Sequence, residues 1–463
     1  MATEYRYDVV IVGLGPAGSS LAYLLKDTGL KVAGLDIADF SRVWGKPCGD
    51  AIGKGHFLET GLPLPKGEAM MQIVNAVDIY SPSEEVKIRL SEPEGGFMID
   101  RNKYGLQLLE EAEKSGVDVY LNTHALSPII ENGKLAGVYA KKHGEDGDVY
   151  IKFYSKIVVD ATGSGGAIKR KLPSSWPVVE PLKPTDSAVA YRKIVELDYD
   201  IEEPDVIRIY INADIAPGGY WWLFPKGRRI ANIGIGVQRG RGYPHPRHLY
   251  EKYLSRRPDT GRVVRLLNEA GALLPTRRPA NTIVWDNFVS IGDNAYTVNP
   301  VHGGGMGYAM TAAMYAARGI EKAFEKGDYS VETLWDVNLG YMRSTGAKQA
   351  GLDILRIYLQ TLTNEEVEWA MRNGLANVDS LVEASTQGEI RRLNLTLLEK
   401  AKVLAKLLGR PTKLMELLVV AEYMSKVKKL YYEYPENPKD LAKWVDRVEN
   451  LYREYKTRLG VDW

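Results

Sequence analysis

Residues 13–18 read Gly-Leu-Gly-Pro-Ala-Gly, a GxGxxG loop set between an apolar run, Tyr7 to Val12, and a helix-like stretch, Pro16 to Thr28. Few folds accept that order. Gly13 allows a tight turn, Gly15 lets the backbone approach a pyrophosphate, and Gly18 lets the helix pack closely on the strand. Pro16 is tolerated in the first helical turn, where its missing N–H would have no partner anyway. The helix start offers unpaired N–H groups and a positive dipole end to phosphates. Lys31 to Asp36 reads as a second strand and completes a βαβ unit. Asp36, 18 residues after Gly18, is placed to accept hydrogen bonds from a ribose diol. The expectation is an α/β fold with a dinucleotide site.

At 463 residues the chain exceeds one ordinary core and implies two or three domains at roughly 150 residues each. A formal charge of +1 gives no electrostatic case for nucleic acid, which calls for a concentrated basic face. Cys48 is the one cysteine, which excludes an intrachain disulfide and fits a reducing, cytoplasmic compartment. The N-terminus lacks a basic, apolar, then small-residue secretion pattern. No apolar run approaches the roughly 20 residues that span a bilayer. Membrane contact is therefore expected to be peripheral, at the cytoplasmic face. Six scattered His and one Cys lack ligand spacing, so no metal site is expected.

Four segments are expected. Residues 1–177 form the first part of a nucleotide-binding domain, with a glycine-broken loop at 41–55 and Asp100 as N-cap of a helix from Arg101 to Lys114. Within it, 117–160 alternate strands with Asn-Gly and Asp-Gly turns at 132–133 and 146–147, a β-meander pattern. Residues 178–285 are rich in short strands and read as an inserted antiparallel-sheet substrate domain. Residues 286–330 return to the nucleotide-binding domain through a strand, a glycine loop and a helix of small residues. Residues 331–463 read as a helical C-terminal domain, amphipathic at 393–408 and 440–459. Its last part, 391–463, holds 16 Lys/Arg against 10 Asp/Glu, which suits a solvated helix face or contact with acidic head groups.

Residues 217–225 read Pro-Gly-Gly-Tyr-Trp-Trp-Leu-Phe-Pro, four aromatics within five positions in a chain with seven Phe and nine Trp. If this is a strand, Tyr220, Trp222 and Phe224 share one face. Such a face either packs as core or walls a cavity for something long and apolar.

Val159-Asp160-Ala161-Thr162-Gly163 and Ile291-Gly292-Asp293-Asn294-Ala295 each follow a strand-like run. With the first glycine loop they resemble the large FAD family that includes aromatic hydroxylases, prenyl reductases and halogenases. The resemblance implies a Rossmann-like FAD-binding fold of the aromatic-hydroxylase type, with an inserted antiparallel β-sheet and a helical C-terminal part. It implies that Asp293, beside Gly292, binds the ribityl chain and that Arg101 contacts the flavin nucleotide. Ala17 and Ala125 sit where family backbone atoms meet FAD. Gly303-Gly304-Gly305-Met306 opens the small-residue helix, so Gly304, Gly305 and Met306 would aim N–H groups at the flavin ring. A positive helix end there stabilises the negative charge of a reduced flavin.

Lys46-Pro47-Cys48-Gly49-Asp50 and the 217–225 segment resemble the geranylgeranyl reductase family, whose archaeal members show a PxxYxWxFP motif. Pro217, Tyr220, Trp222, Phe224 and Pro225 fill every fixed position. The resemblance covers the chain up to the Gly303–Met306 loop and offers no motif in the helical C-terminus. It implies that Pro47, Cys48 and Asp50 lie at the flavin and that the five motif residues bind substrate. The implied reaction saturates geranylgeranyl chains of archaeal membrane ether lipids or of geranylgeranyl diphosphate. An isolated alkene has no carbonyl to polarise it. Reduced FAD would give hydride from N5, a nearby acid the proton, and ring faces would tolerate cationic character. Cys48 is the catalytic candidate as proton donor; its other reading is a small buried hydrophobe. His302 is a second candidate acid or a backbone-positioning group. No second GxGxxG marks a nicotinamide domain, which leaves transient NADPH or a ferredoxin as electron donor.

Two other functions use the same motifs. A flavin-dependent monooxygenase or halogenase shares the FAD signatures, and halogenases carry a Trp-rich motif ending in proline. A prenyl-lipid escort protein could hold lipid chains without redox chemistry, although the intact glycine loop, Asp36, Arg101 and Asp293 argue against a chain that has abandoned FAD.

Overall fold

The computed structural model describes residues 3–144, 147–374 and 411–463. In chain order the strands are β1 (Thr3–Val12), β2 (Val32–Leu35), β3 (Ala51–Gly53), β4 (Met70–Tyr80), β5 (Lys87–Ile99), β6 (Asp118–Tyr120), β7 (Thr123–Glu131) and β8 (Lys134–Gly144). They continue as β9 (Gly147–Asp160), β10 (Ser187–Leu197), β11 (Val206–Tyr210), β12 (Tyr220–Pro225), β13 (Ile230–Gln238), β14 (Val263–Pro275), β15 (Val284–Trp285) and β16 (Phe288–Ser290). The α-helices are α1 (Pro16–Leu25), α2 (Lys54–Thr60), α3 (Arg101–Lys114), α4 (Pro246–Leu249) and α5 (Met306–Lys326). After these come α6 (Val331–Tyr341), α7 (Ala347–Leu359), α8 (Asn364–Arg372), α9 (Pro411–Tyr432) and α10 (Leu441–Leu459).

The first sheet runs β15-β16-β9-β1-β2-β6, with β7 and β8 joined to it through β9. Its centre is parallel, and Val12 lies opposite both Leu35 and Asp160. Val9 and Ile11 enter one core while Val10 and Val12 enter another. A strand covered on both faces has no polar side, which is why this run reads as continuously apolar. At the end of β1, Gly13 takes φ +91°, and a Cβ there would fall 2.7 Å from the Ala161 carbonyl oxygen. A Cβ on Gly18 would lie 1.8 Å from the Gly13 oxygen, so α1 can approach the loop only without one. The helix stops at Leu25, short of the expected Thr28, whose hydroxyl donates to the Leu25 carbonyl at 2.7 Å. Helix α3 has the expected bounds, and Asp100 accepts from the Lys103 N–H at 3.0 Å.

The second sheet runs β14-β10-β13-β12-β11-β4-β5-β3 and is antiparallel except where β11 meets β4. It is not made from residues 178–285 alone, because β3, β4 and β5 come from 51–99. Val206 pairs with Ala76 across that parallel junction. Local alternation can mark 70–80 as a strand, but a partner so far along the chain leaves no local signature. Ala51–Gly53, expected inside the 41–55 loop, is the edge strand β3 paired to β5.

The Asn132-Gly133 turn joins β7 to β8 with φ of 52° and 76°, as a two-residue hairpin requires. Part of the 146–147 turn and the 393–408 stretch lie outside the described residues. Tyr423, Tyr431, Trp444 and Tyr455 of α9 and α10 are buried in the same core as α1 and α5. Among the described residues no helix is long and apolar enough to cross a membrane. Ion pairs fasten the helical part to the rest of the fold: Arg278 meets Glu449 of α10 at 2.6 Å, and Arg356 of α7, paired with Asp353 at 2.8 Å, reaches Asp186 at 3.7 Å; the buried Arg277 pairs with Glu180 at 2.7 Å.

Burial pushes the Glu180 and Asp186 carboxyls up, but Arg277 outweighs it, aided by Arg278 at Glu180 and Arg356 at Asp186. Both carboxyls sit below the ordinary carboxylate range. A carboxyl depressed on folding stabilises the fold above its unfolded pKa and loses that contribution as pH falls through its folded value. Stability should therefore decline as pH drops below about 4 to 4.5. Glu180→Gln should reduce that dependence in acid melts. Arg277→Met, which strands a buried carboxylate, should cost about 3–5 kcal/mol in urea unfolding. A loss under about 1 kcal/mol, the range of exposed pairs, would contradict the assignment.

Candidate functional site

A cavity of about 2390 Å³ is lined by both sheets and by helices α1, α2, α5, α7 and α8. Single-ligand pockets commonly measure about 300–1,000 Å³, so this space can hold more than one molecule. Its two halves differ in chemistry.

The polar half gathers the three glycine loops. Gly15 caps α1 without a side chain, and a Cβ there would meet no protein atom within 4 Å. That backbone therefore faces open space at a helix N-terminus, with Gly13, Pro16 and Ala17 on the same rim. The Asp36 carboxylate accepts from the Leu14 and Ala38 N–H groups at 2.6 and 2.7 Å, which fixes it at the rim. Asp160 is wholly buried and accepts from Thr162 N and Oγ1, Ile168 N and Lys169 N at 2.6–3.0 Å. The 159–163 signature is thus a hydrogen-bonded knot that holds Ala161 to Gly163 against Gly13. Asp293 faces the cavity beside Gly292 and pairs with Lys46.

Gly303 takes φ +69°, and Gly304 donates its N–H to His302 Nδ1 at 3.1 Å. Helix α5 begins at Met306 with no side-chain cap, so its first-turn N–H groups have no partner within the helix. Gly304, Gly305 and Met306 all line the cavity, as does Ala125 on β7. Arg101 lines it too; its guanidinium donates to the Lys46 carbonyl, while its buried Nε has no partner among the described residues.

The apolar half is one face of the second sheet. Tyr220, Trp222 and Phe224 share it, with successive ring centroids 5.9 Å apart. Trp221 and Leu223 point the other way into a separate core, where Trp221 stacks on Tyr210 at 3.6 Å. Room for the Trp222 ring comes from Gly234, where a Cβ would fall 2.1 Å from it. Ile79, Ile88, Ile207 and Ile209 extend the surface along β4, β5 and β11. Pro217 reaches the cavity. Pro225, paired with Ala231, does not, and neither do Gly18 and Asp50.

The Cys48 loop joins the halves. Pro47 and Cys48 line the cavity, and the Phe224 ring lies against Gly49. Asp50 holds φ +68°, a conformation costly for a residue with a side chain, by about 1 kcal/mol or more. It forms a buried ion pair with Lys226 at 2.6 Å. Asn232, fully buried, donates to the Cys48 carbonyl at 2.7 Å and to Asp50 at 3.1 Å, and accepts from the Trp222 indole at 3.0 Å. Neither Asn232 nor Lys226 belongs to a recognised motif. The available signal was a polar residue inside the apolar run Ile230–Gln238 and a lysine directly after Pro225.

Burial and the nearby His56 pull the His302 imidazole down to about 4, so its ring is neutral at neutral pH. Tyr220 donates its hydroxyl to the His302 carbonyl at 2.6 Å, and burial pushes its phenol up. Burial pushes Tyr308 up to about 12. These groups are weak proton donors here.

A family model described as the geranylgeranyl reductase catalytic domain matches residues 186–274. The chain is 42% identical over 460 residues to a digeranylgeranylglycerophospholipid reductase of Sulfolobus acidocaldarius, covering 99% of this chain and 100% of that one. It is 33% identical to the enzyme of that name from Thermoplasma volcanium, covering 71% of this chain and 81% of the relative. Among solved structures, a geranylgeranyl bacteriochlorophyll reductase-like protein of Thermoplasma acidophilum superposes with TM-score 0.75 at 25% identity, over 88% of this chain and 99% of that chain. The myxobacterial chondrochloren halogenase, an FAD-dependent halogenase, superposes with TM-score 0.62 at 17% identity, over 87% of this chain and 97% of its own. That last likeness extends to the fold alone.

Asn232→Leu removes the donor from the Cys48 carbonyl and leaves the Trp222 indole N–H unpaired. It should cost about 1–3 kcal/mol in denaturant unfolding and speed alkylation of Cys48. Unchanged stability together with unchanged thiol reactivity would show that Asn232 does not hold the loop.

Proposed function

The chain belongs to the geranylgeranyl reductase family, and from that premise we propose that it is an FAD-dependent oxidoreductase that hydrogenates C=C bonds of geranylgeranyl chains. Its substrates are digeranylgeranylglycerophospholipids of archaeal membranes or geranylgeranyl diphosphate. The observation that carries this reading is one cavity that joins a dinucleotide rim to an aromatic and aliphatic sheet face. NADPH or a ferredoxin is the reductant, and the protein works at the cytoplasmic membrane face by peripheral contact.

The residues present fit FAD. The bare backbone at Gly15 suits a pyrophosphate, and the unpartnered Nε of Arg101 suits a nucleotide oxygen. Asp36 would take the ribose hydroxyls, Asp293 the ribityl chain, and the N–H groups of Gly304 to Met306 the flavin ring. When bound and reduced, FAD supplies the hydride.

The chain's own residues then hold the lipid and handle the proton. Trp222, Phe224 and the isoleucines of β4, β5 and β11 keep the alkene in a dry, apolar setting. The ring faces of Tyr220 and Trp222 lower the cost of cationic character at carbon. Saturation of one C=C takes up one hydride and one proton. We assign Cys48, which lines the cavity on the loop beside the aromatic strand, as the proton source; its thiolate regains a proton from solvent.

Anaerobic incubation of the reduced protein with geranylgeranyl lipid should give a mass gain of one H₂ per saturated bond. Oxygen- or halide-dependent products would defeat the reading. Trp222→Ala should keep the yellow flavin absorbance while lowering lipid turnover by about tenfold or more. Loss of the flavin itself would return the segment to a core role. Cys48→Ser should lower turnover by about 10²–10⁴-fold with flavin retained, and full turnover would remove Cys48 from the chemistry.

A further inference from the structure

Helix α8 is short, and many polar contacts hold it. Thr363 and Glu366 form a reciprocal cap at its start, with hydrogen bonds of 2.9 and 3.2 Å. Asn364 accepts from the Ala213 N–H at 2.7 Å and donates to Asp214 at 2.9 Å. Glu368 accepts from the Ser83 N–H at 3.0 Å, and Arg372 pairs with Glu85. Lys413 of α9 reaches Glu366 at 2.7 Å. The helix therefore bridges two chain reversals, the one between β4 and β5 and the one between β11 and β12. Both lie at the same end of the second sheet, because Tyr80 pairs with Tyr210 and Tyr210 with Trp221.

Asn364 and Glu365 reach the cavity at the start of the helix, and beyond them its inward side is apolar. Val367, Ala370 and Met371, spaced i, i+3 and i+4, all line the cavity, and Met371 is buried. Ile79 and Ile211 line it from the adjoining sheet end. A rigidly fastened apolar helix across the end of a channel is a stop. A chain longer than the space must overpack it, and well-packed interiors resist an extra methylene.

We propose that α8 is the end wall of the isoprenoid half of the cavity and that Ala370 and Met371 set the longest chain the site accepts. This rests on the reductase reading above. A bulkier residue at 370 shortens the space, and a smaller one at 371 lengthens it.

The test uses FAD-loaded protein and two separate readouts. Equilibrium dialysis measures binding of farnesyl, geranylgeranyl and geranylfarnesyl diphosphate, and mass analysis measures hydrogen added under anaerobic reduction. Ala370→Phe should weaken geranylgeranyl diphosphate by about tenfold or more while changing farnesyl diphosphate by less than about threefold. Met371→Ala should favour geranylfarnesyl over geranylgeranyl diphosphate by about tenfold relative to the parent chain. If Ala370→Phe fails to fold, Met371→Ala decides the matter. Variants that keep flavin absorbance yet leave the chain-length ratios unmoved, or weaken all three ligands alike, overturn the end wall. Shifted ratios with no hydrogen added to any chain keep the end wall and sink the reductase reading.

Discussion

Everything in the site leans on the buried pairing of Asp50 with Lys226 and on Asn232 beside it. This cluster fastens the Cys48 loop to the aromatic strand. A buried carboxylate and a buried ammonium are each expensive alone, and together they tolerate burial only when every remaining polar position is satisfied. Here Lys226 also donates to the Ile99 carbonyl at 3.1 Å, and Asn232 serves both Asp50 and Cys48. The left-handed backbone at Asp50 persists because these contacts over-determine it. The result is that Cys48 and Trp222, far apart in sequence, share one rigid support.

The cavity built on that support divides by chemistry. Its polar half combines backbone, in glycine loops and helix starts, with the side chains of Asp36, Arg101 and Asp293. Its apolar half is made of side chains on alternate positions of the second sheet. Backbone donors suit a ligand rich in phosphate and hydroxyl oxygens, and alternate aromatic and isoleucine side chains suit a hydrocarbon. The division explains how one space can bring a polar cofactor against a flexible lipid without exposing the lipid's double bonds to water.

The motifs were legible where a few adjacent residues set the backbone. The Gly13–Gly18 loop, the Asp100 cap and the Asn132-Gly133 turn are local devices, and each forms as its residues imply. The alternation of Tyr220, Trp222 and Phe224 was likewise readable, since a strand leaves side chains no choice of face. Less was legible of the second sheet, because β4 finds its parallel partner β11 across more than a hundred intervening residues. The supporting roles of Asn232 and Lys226 were hidden for the same reason. Their partners are set by which strands pair, and no short pattern records that. Asp50 and Pro225, read as site residues, stand behind the wall and act on it through packing and charge.

The amino-acid sequence by itself determined the dinucleotide rim and the aromatic face, since both follow from φ restrictions, helix ends and two-residue alternation within a single segment. Only the tertiary structure decided that the two meet in one cavity, that Cys48 is held between them, and that α8 closes the far end. Those outcomes depend on pairings between distant segments, whose free energy comes from burying surfaces that no local stretch contains whole.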